Sequence, residues 1–357
     1  MAADEFLLAQ PGRVIFGAGS VSRVPDEVAS LGAERVLLVV SGSALAAGRR
    51  IAAGLGHRLA ATWHETAQHV PEELAESARW RANTVRADAI VSVGGGSATG
   101  LAKAIAVDVR VPIVAVPTTY AGSEVTPVYG ITGTRKTTAR DPAALPRVVV
   151  YDARLTVGLS PRSTAASGLN AVAHAVEARY SAGANPVTDL FAVAAVRRLS
   201  TALPGAVADP ADLTARGDAL VGAYLAGLSF AGAGSALHHR ICHVLGGDYG
   251  LVHADVHSAL LPYTIGALEP FATAELAPIA TTLHATDAAT GLYDLVIALG
   301  APLGLDAIGL PRDELDEATR RCAAAVADLT HPTTVREPAV RALLADAYAG
   351  KRPRPPR

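Results

Sequence analysis

The sequence is poor in the residues that would mark a secreted scaffold or a membrane protein. It has two cysteines, Cys242 and Cys322, in 357 residues. Two are too few for a disulfide framework and read as buried thiols in a reducing compartment. Neither sign of charge is in excess, with 31 basic against 33 acidic residues. That balance argues against a broad nucleic-acid surface and against an acidic, disordered chain. The opening Met1-Ala2-Ala3-Asp4-Glu5-Phe6 has acids where a secretory signal would be basic. Gly, Arg, Asp or His interrupts each apolar run before it reaches the length of a membrane span. These absences point to a cytoplasmic protein with no membrane or nucleic-acid partner. The one concentrated basic run, Lys351 to Arg357, is proline-rich and terminal and reads as a disordered tail over 351–357.

What the chain does have is apolar material, half of its residues, enough for a sizeable core. Up to about residue 150 the apolar residues come in short unbroken runs: Arg13 to Phe16, Arg35 to Val40, Ala89 to Val93, Pro112 to Val116 and Val148 to Tyr151. Such runs suit strands buried on both faces of a parallel sheet. Between them lie helical stretches such as Pro71 to Arg86, opened by proline and two glutamates. The alternation predicts a doubly wound α/β nucleotide-binding domain over 1–158. From Ser160 onward, alanine- and leucine-rich stretches predict an all-helical catalytic domain over 159–350. Its helices fall at Ser163 to Ser181, Pro186 to Leu203, Asp212 to Ala231, Gly234 to Leu245 and His253 to Leu268, with Pro204, Pro210, Pro262 and Pro270 as breaks or kinks.

Two loops in the first half carry ligand-binding character. Gly94-Gly95-Gly96-Ser97 joins a strand to a helix starting at Ala98. Glycines there admit close approach of a ligand, and the helix start offers free N–H groups to a phosphate. Neither a G-x-G-x-x-G nor a P-loop is present. Pro117 to Glu124 (PTTYAGSE) also follows a strand, where open α/β sheets bind ligands. Its Thr118, Thr119 and Ser123, with Ser41 after an earlier strand, are candidate cofactor contacts. No acid follows the strand ending at Val40; Ser41-Gly42-Ser43 stands there. A cofactor with a 2′-phosphate would meet no repulsion.

Eleven histidines are present, and five fall between His238 and His257. His239 and His243 are four apart, as are His253 and His257, and as are Asn170 and His174 upstream; each pair shares a helix face. Titratable side chains gathered on apolar helices point to a cleft. Three histidines could bind a divalent ion. Asn170 would be only a neutral fourth donor, so the pattern looks like a metal site lacking its anionic ligand.

Together GGGS at 94–97, PTTYAGSE at 117–124, the Asn170/His174 pair and the spacing of His239, His243 and His253 resemble the iron-containing alcohol dehydrogenase superfamily. The resemblance implies a cofactor held between an α/β and a helical domain, and a homodimer. It places the superfamily's metal-ligand positions on Asn170, His174, His239 and His253, with a further catalytic histidine at His243. TTYAGSEVT, RKTTARDP at 135–142 and GLNAVAHAVEA at 168–178 are most similar to the branch that reduces the carbon–carbon double bond of maleylacetate to 3-oxoadipate. Gly100 departs from the aspartate of many metal-dependent relatives.

From that branch follow the expectations that NADH is the cofactor with NADPH accepted, that no metal is required, and that the metal positions are vestigial. The substrate would be a small dicarboxylate. His243, His253, His239, His174 and Tyr120 are then the expected catalytic residues. Asn170, Lys136, Arg135 and His257 are the expected substrate contacts, with Arg140 also within reach. The alternatives are a metal-dependent alcohol or polyol dehydrogenase and a lyase resembling dehydroquinate synthase.

Overall fold

The computed structural model describes residues 6–134 and 136–353, with Lys136 described by its backbone alone. The α/β part runs β1 (Arg13–Phe16), α1 (Val24–Ser30), β2 (Val36–Val40), α2 (Leu45–Leu55), β3 (Leu59–Trp63), α3 (Glu72–Thr84), β4 (Ala89–Gly94), α4 (Gly96–Val109) and β5 (Ile113–Pro117). A hairpin follows, β6 (Val128–Thr132) and β7 (Lys136–Arg140), and then β8 (Val148–Tyr151). Six strands form one parallel sheet in the order β1-β8-β5-β4-β2-β3, while β6 and β7 pair antiparallel apart from it.

Strand alternation divides the sheet's side chains between two cores. Val36, Leu38, Val40, Val91 and Val114 face α1 and α2. Leu37, Val39, Ile90, Ala115 and Val149 face α3 and α4, and that core continues without a break into the helices that follow. The expectation of strands buried on both faces therefore holds for β2, β4 and β5. β3 and the β6–β7 hairpin are absent from the sequence reading, because both are short, partly exposed and polar or alanine-rich.

The helical part comprises α5 (Pro161–Tyr180), α6 (Pro186–Ala208), α7 (Leu213–Ala233), α8 (Leu237–Asp248), α9 (His253–Leu268), α10 (Thr273–Thr282), α11 (Ala288–Ala298), α12 (Leu315–Val326) and α13 (Glu337–Tyr348). α6 starts on a capping box, with Asn185 Oδ1 accepting from the Thr188 amide at 3.1 Å. The helix expected to end at Leu203, before Pro204, runs on to Ala208 as α6, while α9 covers the expected span His253 to Leu268 with Pro262 inside it; in both, packing outweighs the lost backbone bond. α6 also corrects the expectation about apolar runs, since it has the length and hydropathy of a membrane span; here it packs against α5 and α7. Part of the supposed tail is docked: Arg352 forks onto Asp294 at 2.5 and 2.7 Å and lies over the Tyr293 ring. Residues 354–357 lie outside the described residues.

Candidate active site between sheet and helices

A cavity of about 820 Å³ opens between the C-terminal ends of the parallel strands and the first helices of the helical part. On the sheet side its wall includes Ser41, Gly95, Gly96, Ser97, Thr119 and Ser123, six of the expected cofactor contacts. Gly94 and Thr118 are not among the lining residues; they knit the wall together, the Thr118 amide donating to Gly94 O at 3.0 Å. Gly94 has φ 151°, and a Cβ there would collide with the Ser41 side chain and lie 2.9 Å from the Ala98 Cβ. Only glycine lets β2 and β4 present their loops this closely. Gly95 caps α4 with extended backbone, so the first amides of that helix face the cavity.

The loop after β5 is pinned from within. Lys103 on α4 is fully buried and its ammonium donates to Ser123 O at 2.6 Å, Thr126 O at 2.8 Å, Thr126 Oγ1 at 3.0 Å and Val128 O at 2.8 Å. Burial pulls this amine down to about 7. On the other side the loop meets α7 through two glycines: a Cβ on Gly122 would lie 3.4 Å from the Gly227 Cα and 3.6 Å from His174 Nδ1.

The helical wall carries the histidines. α5 presents Asn170 and His174, α8 presents His239 and His243, and His253 begins α9. The His174 and His239 rings stack with centroids 4.9 Å apart, and Phe230 packs on them at 4.5 and 4.6 Å. The His243 and His253 rings stack at 5.9 Å. His69, from the loop before α3, adds a fifth histidine, with its ring edge-on to His253 at 5.8 Å.

A second histidine layer lies behind the first. His238 Nδ1 meets Thr264 Oγ1 at 2.9 Å, and its Nε2 meets His257 Nδ1 at 2.8 Å. His257 Nε2 in turn faces His253 Nε2 at 3.1 Å, and Cys242 Sγ lies 3.5 Å from His238 and 3.6 Å from His257. Burial lowers His174 to about 4 and His238 to about 3, and takes His239 and His257 well below the ordinary range. All four are neutral near pH 7 and therefore competent as donors to a cation or a substrate.

Glu177 completes this arrangement, and the sequence reading missed it. It sits one helical turn beyond His174 in α5, fully buried. Its Oε2 meets His239 Nδ1 and its Oε1 accepts the His239 amide at 3.2 Å. Burial raises the carboxyl to about 8 and lowers the imidazole well below its ordinary range. The available signal was the spacing in His174-Ala-Val-Glu177, which places both side chains on one helix face.

Two expected site residues are placed elsewhere. Tyr120 is fully buried outside the cavity wall, its hydroxyl 3.3 Å from Arg216 Nη1 and 3.5 Å from Thr156 Oγ1; it cannot meet substrate. His257 is likewise buried in the second layer and does not line the cavity. Arg135 lies outside the described residues, as does the side chain of Lys136.

Comparison with known proteins adds to this geometry. Residues 11–153 match the sequence profile of iron-containing alcohol dehydrogenases, and residues 164–348 match that of the Fe-containing alcohol dehydrogenase family, C-terminal. Maleylacetate reductase of Burkholderia cepacia is 42% identical over 342 residues, covering 96% of this chain and 97% of that protein. The crystal structure of maleylacetate reductase from Rhizobium sp. strain MTP-10005 superposes with a TM-score of 0.93 at 42% identity, covering 98% of this chain and 100% of that one. The enzyme of the same name from Agrobacterium tumefaciens gives a TM-score of 0.93 at 41% identity, with the same coverage of 98% and 100%.

One expectation is overturned here. A cofactor set without metal does not stand, because both profiles are those of an iron-containing family and the structure assembles donors for an ion. His238, Cys242 and His257 bring one ligand atom each within 4.8 Å of one another. At the cavity wall, His174 Nδ1, His239 Nε2 and Asn170 Oδ1 are buried without a hydrogen-bond partner among the described residues. With a neutral asparagine in place of an acid the donor set carries no charge, yet its buried, unpartnered nitrogens still fit a divalent ion.

Proposed function

The chain belongs to the iron-containing alcohol dehydrogenase family, and from that premise we propose that it reduces the carbon–carbon double bond of maleylacetate, or a substituted maleylacetate, with hydride from NAD(P)H. One observation carries the reading. Among the described residues lining the cavity there are five histidines, a lysine and an arginine, and no aspartate or glutamate. In a chain with 33 acids, such a wall suits a polyanionic cofactor and a dianionic substrate together. A neutral alcohol makes no comparable demand.

The reaction sets the demands on the site. The substrate's double bond is conjugated to a ketone. Hydride from the nicotinamide adds at the carbon β to that ketone, charge develops on the ketone oxygen, and the carbon between them takes a proton. NAD(P)⁺ and 3-oxoadipate result. The amides at the start of α4, with Ser41, Ser97, Thr119 and Ser123, hold the cofactor's phosphates and ribose. His174 and His239, with His253 and Asn170, are the residues that would hold a divalent ion, and a bound ion supplies polarisation of the ketone oxygen. His243, on the cavity wall next to His253, donates the proton. Glu177 orients His239 from behind. The buried free thiols Cys242 and Cys322 suit a reducing, cytoplasmic setting, and β1, an edge strand of the sheet among the described residues, suits pairing in a homodimer.

The test is NADH oxidation with maleylacetate, before and after chelation and after adding back a divalent ion. Turnover that needs the ion supports the reading. No turnover of maleylacetate, with NAD⁺ reduction by simple alcohols or polyols instead, would replace it with an alcohol dehydrogenase.

A further inference from the structure

We propose that Arg140 is the carboxylate anchor of this site and makes it selective for a dicarboxylate; the inference rests on the cavity being the substrate site. Arg140 ends β7, opposite Val128 across the hairpin, and lines the cavity. Its Nη2 donates to Ala231 O at 2.8 Å, near the C-terminal end of α7. The residue before Ala231 is Phe230, which packs on His174 and His239 at 4.5 and 4.6 Å. One hydrogen bond thus ties the guanidinium to the segment that supports the histidine pair.

Its charge is uncommitted. A guanidinium has five N–H donors, and the Ala231 carbonyl accounts for one of them. Several arginines of this protein lie against acids, among them Arg110, Arg162, Arg179 and Arg198. Arg140 has no carboxylate within ion-pair distance among the described residues. The nearest acid in sequence, Asp141, is engaged by Arg110 at 2.8 and 2.9 Å and accepts the Ala143 amide at 2.8 Å. The other cation on the wall, Lys103, has its three N–H groups shared among four oxygens within 3.0 Å. Arg140 is therefore the described charge with donors to spare, and its planar fork matches a carboxylate. A six-carbon dianion with its reacting carbonyl at His174 and His239 would place its far carboxylate on Arg140.

Arg140→Gln and Arg140→Lys test this. In turnover, Arg140→Gln should raise KM for maleylacetate about 10- to 100-fold, with KM for NADH within about twofold, and Arg140→Lys should fall between. A second measurement does not depend on the reaction. By calorimetry, the wild-type enzyme should bind adipate at least about tenfold more tightly than hexanoate, and Arg140→Gln should abolish the preference. A merely structural role for the bond to Ala231 would weaken both acids alike. Adipate preference surviving in Arg140→Gln, or absent from the wild type, would overturn the proposal. If maleylacetate is not turned over but Arg140→Gln still abolishes the adipate preference, the reductase reading falls and the anchor stands.

Discussion

Glu177 and His239 are joined at two points: one carboxylate oxygen meets the ring Nδ1, and the other accepts the His239 backbone N–H at 3.2 Å. Two helices distant in sequence are locked together at the cavity wall, and the imidazole has its Nε2 turned from the carboxylate. Glu177→Ala would leave a buried ring nitrogen and a buried amide unsatisfied. The expected loss is about 2–4 kcal/mol of stability, with metal affinity reduced about 10- to 100-fold. Glu177→Gln, which keeps an acceptor, should lose less of both. Denaturant melts and metal titrations check this, and wild-type metal affinity in Glu177→Ala would remove the orienting role.

The identity of the ion-holding group is open to direct measurement. His239→Ala removes a cavity donor and Cys242→Ser removes a donor of the layer behind. The purified protein is expected to carry a divalent ion that His239→Ala loses and Cys242→Ser keeps, as read by elemental analysis. The opposite pattern would move the ion to His238, Cys242 and His257.

His243 lines the cavity, and its ring stacks on His253 at 5.9 Å. If it delivers the proton, His243→Ala should lower kcat about 10²–10⁴-fold while NADH still binds, as followed by nicotinamide fluorescence. A kcat within about threefold of wild type would exclude it as the general acid.

Acid should weaken the fold through the buried imidazoles. Burial lowers His174 from its ordinary 6.5 to about 4. Between those values the unfolded chain holds a proton that the folded chain refuses, so stability falls as the pH drops from about 6.5 to about 4. His174→Gln has no imidazole to take up that proton. With chelator present to keep the site free of metal, wild type should lose about 3 kcal/mol more than the variant across that window. Parallel stability curves for the two proteins would show that His174 titrates alike folded and unfolded.

Much of this was legible in the residues themselves. RVLLVV at 35–40, AIVSV at 89–93 and PIVAV at 112–116 became β2, β4 and β5, because an unbroken β-branched run suits a strand buried on both faces, as in a parallel sheet. The glycines of GGGS announced the cradle at the start of α4. The four-residue spacings at 170/174, 239/243 and 253/257 announced which side chains share a helix face. The hairpin escaped, since Lys136 to Arg140 is polar and lacks the apolar alternation of a half-buried strand. Glu177 escaped because an acid in an alanine-rich helix looks no different from a solvated one until its neighbour is known.

Local sequence, then, determined the elements, their periodicity and the side chains each could offer. Which faces met was decided only in three dimensions, by how α5, α7, α8 and α9 cross over a shared core. Those crossings turned Tyr120 and His257 inward, brought Glu177 under His239, stacked His174 on His239, and left Arg140 on the cavity wall with Asp141 already taken. Periodicity along one chain segment carries no record of the segment it will pack against, so these pairings exist only once the long-range contacts have formed.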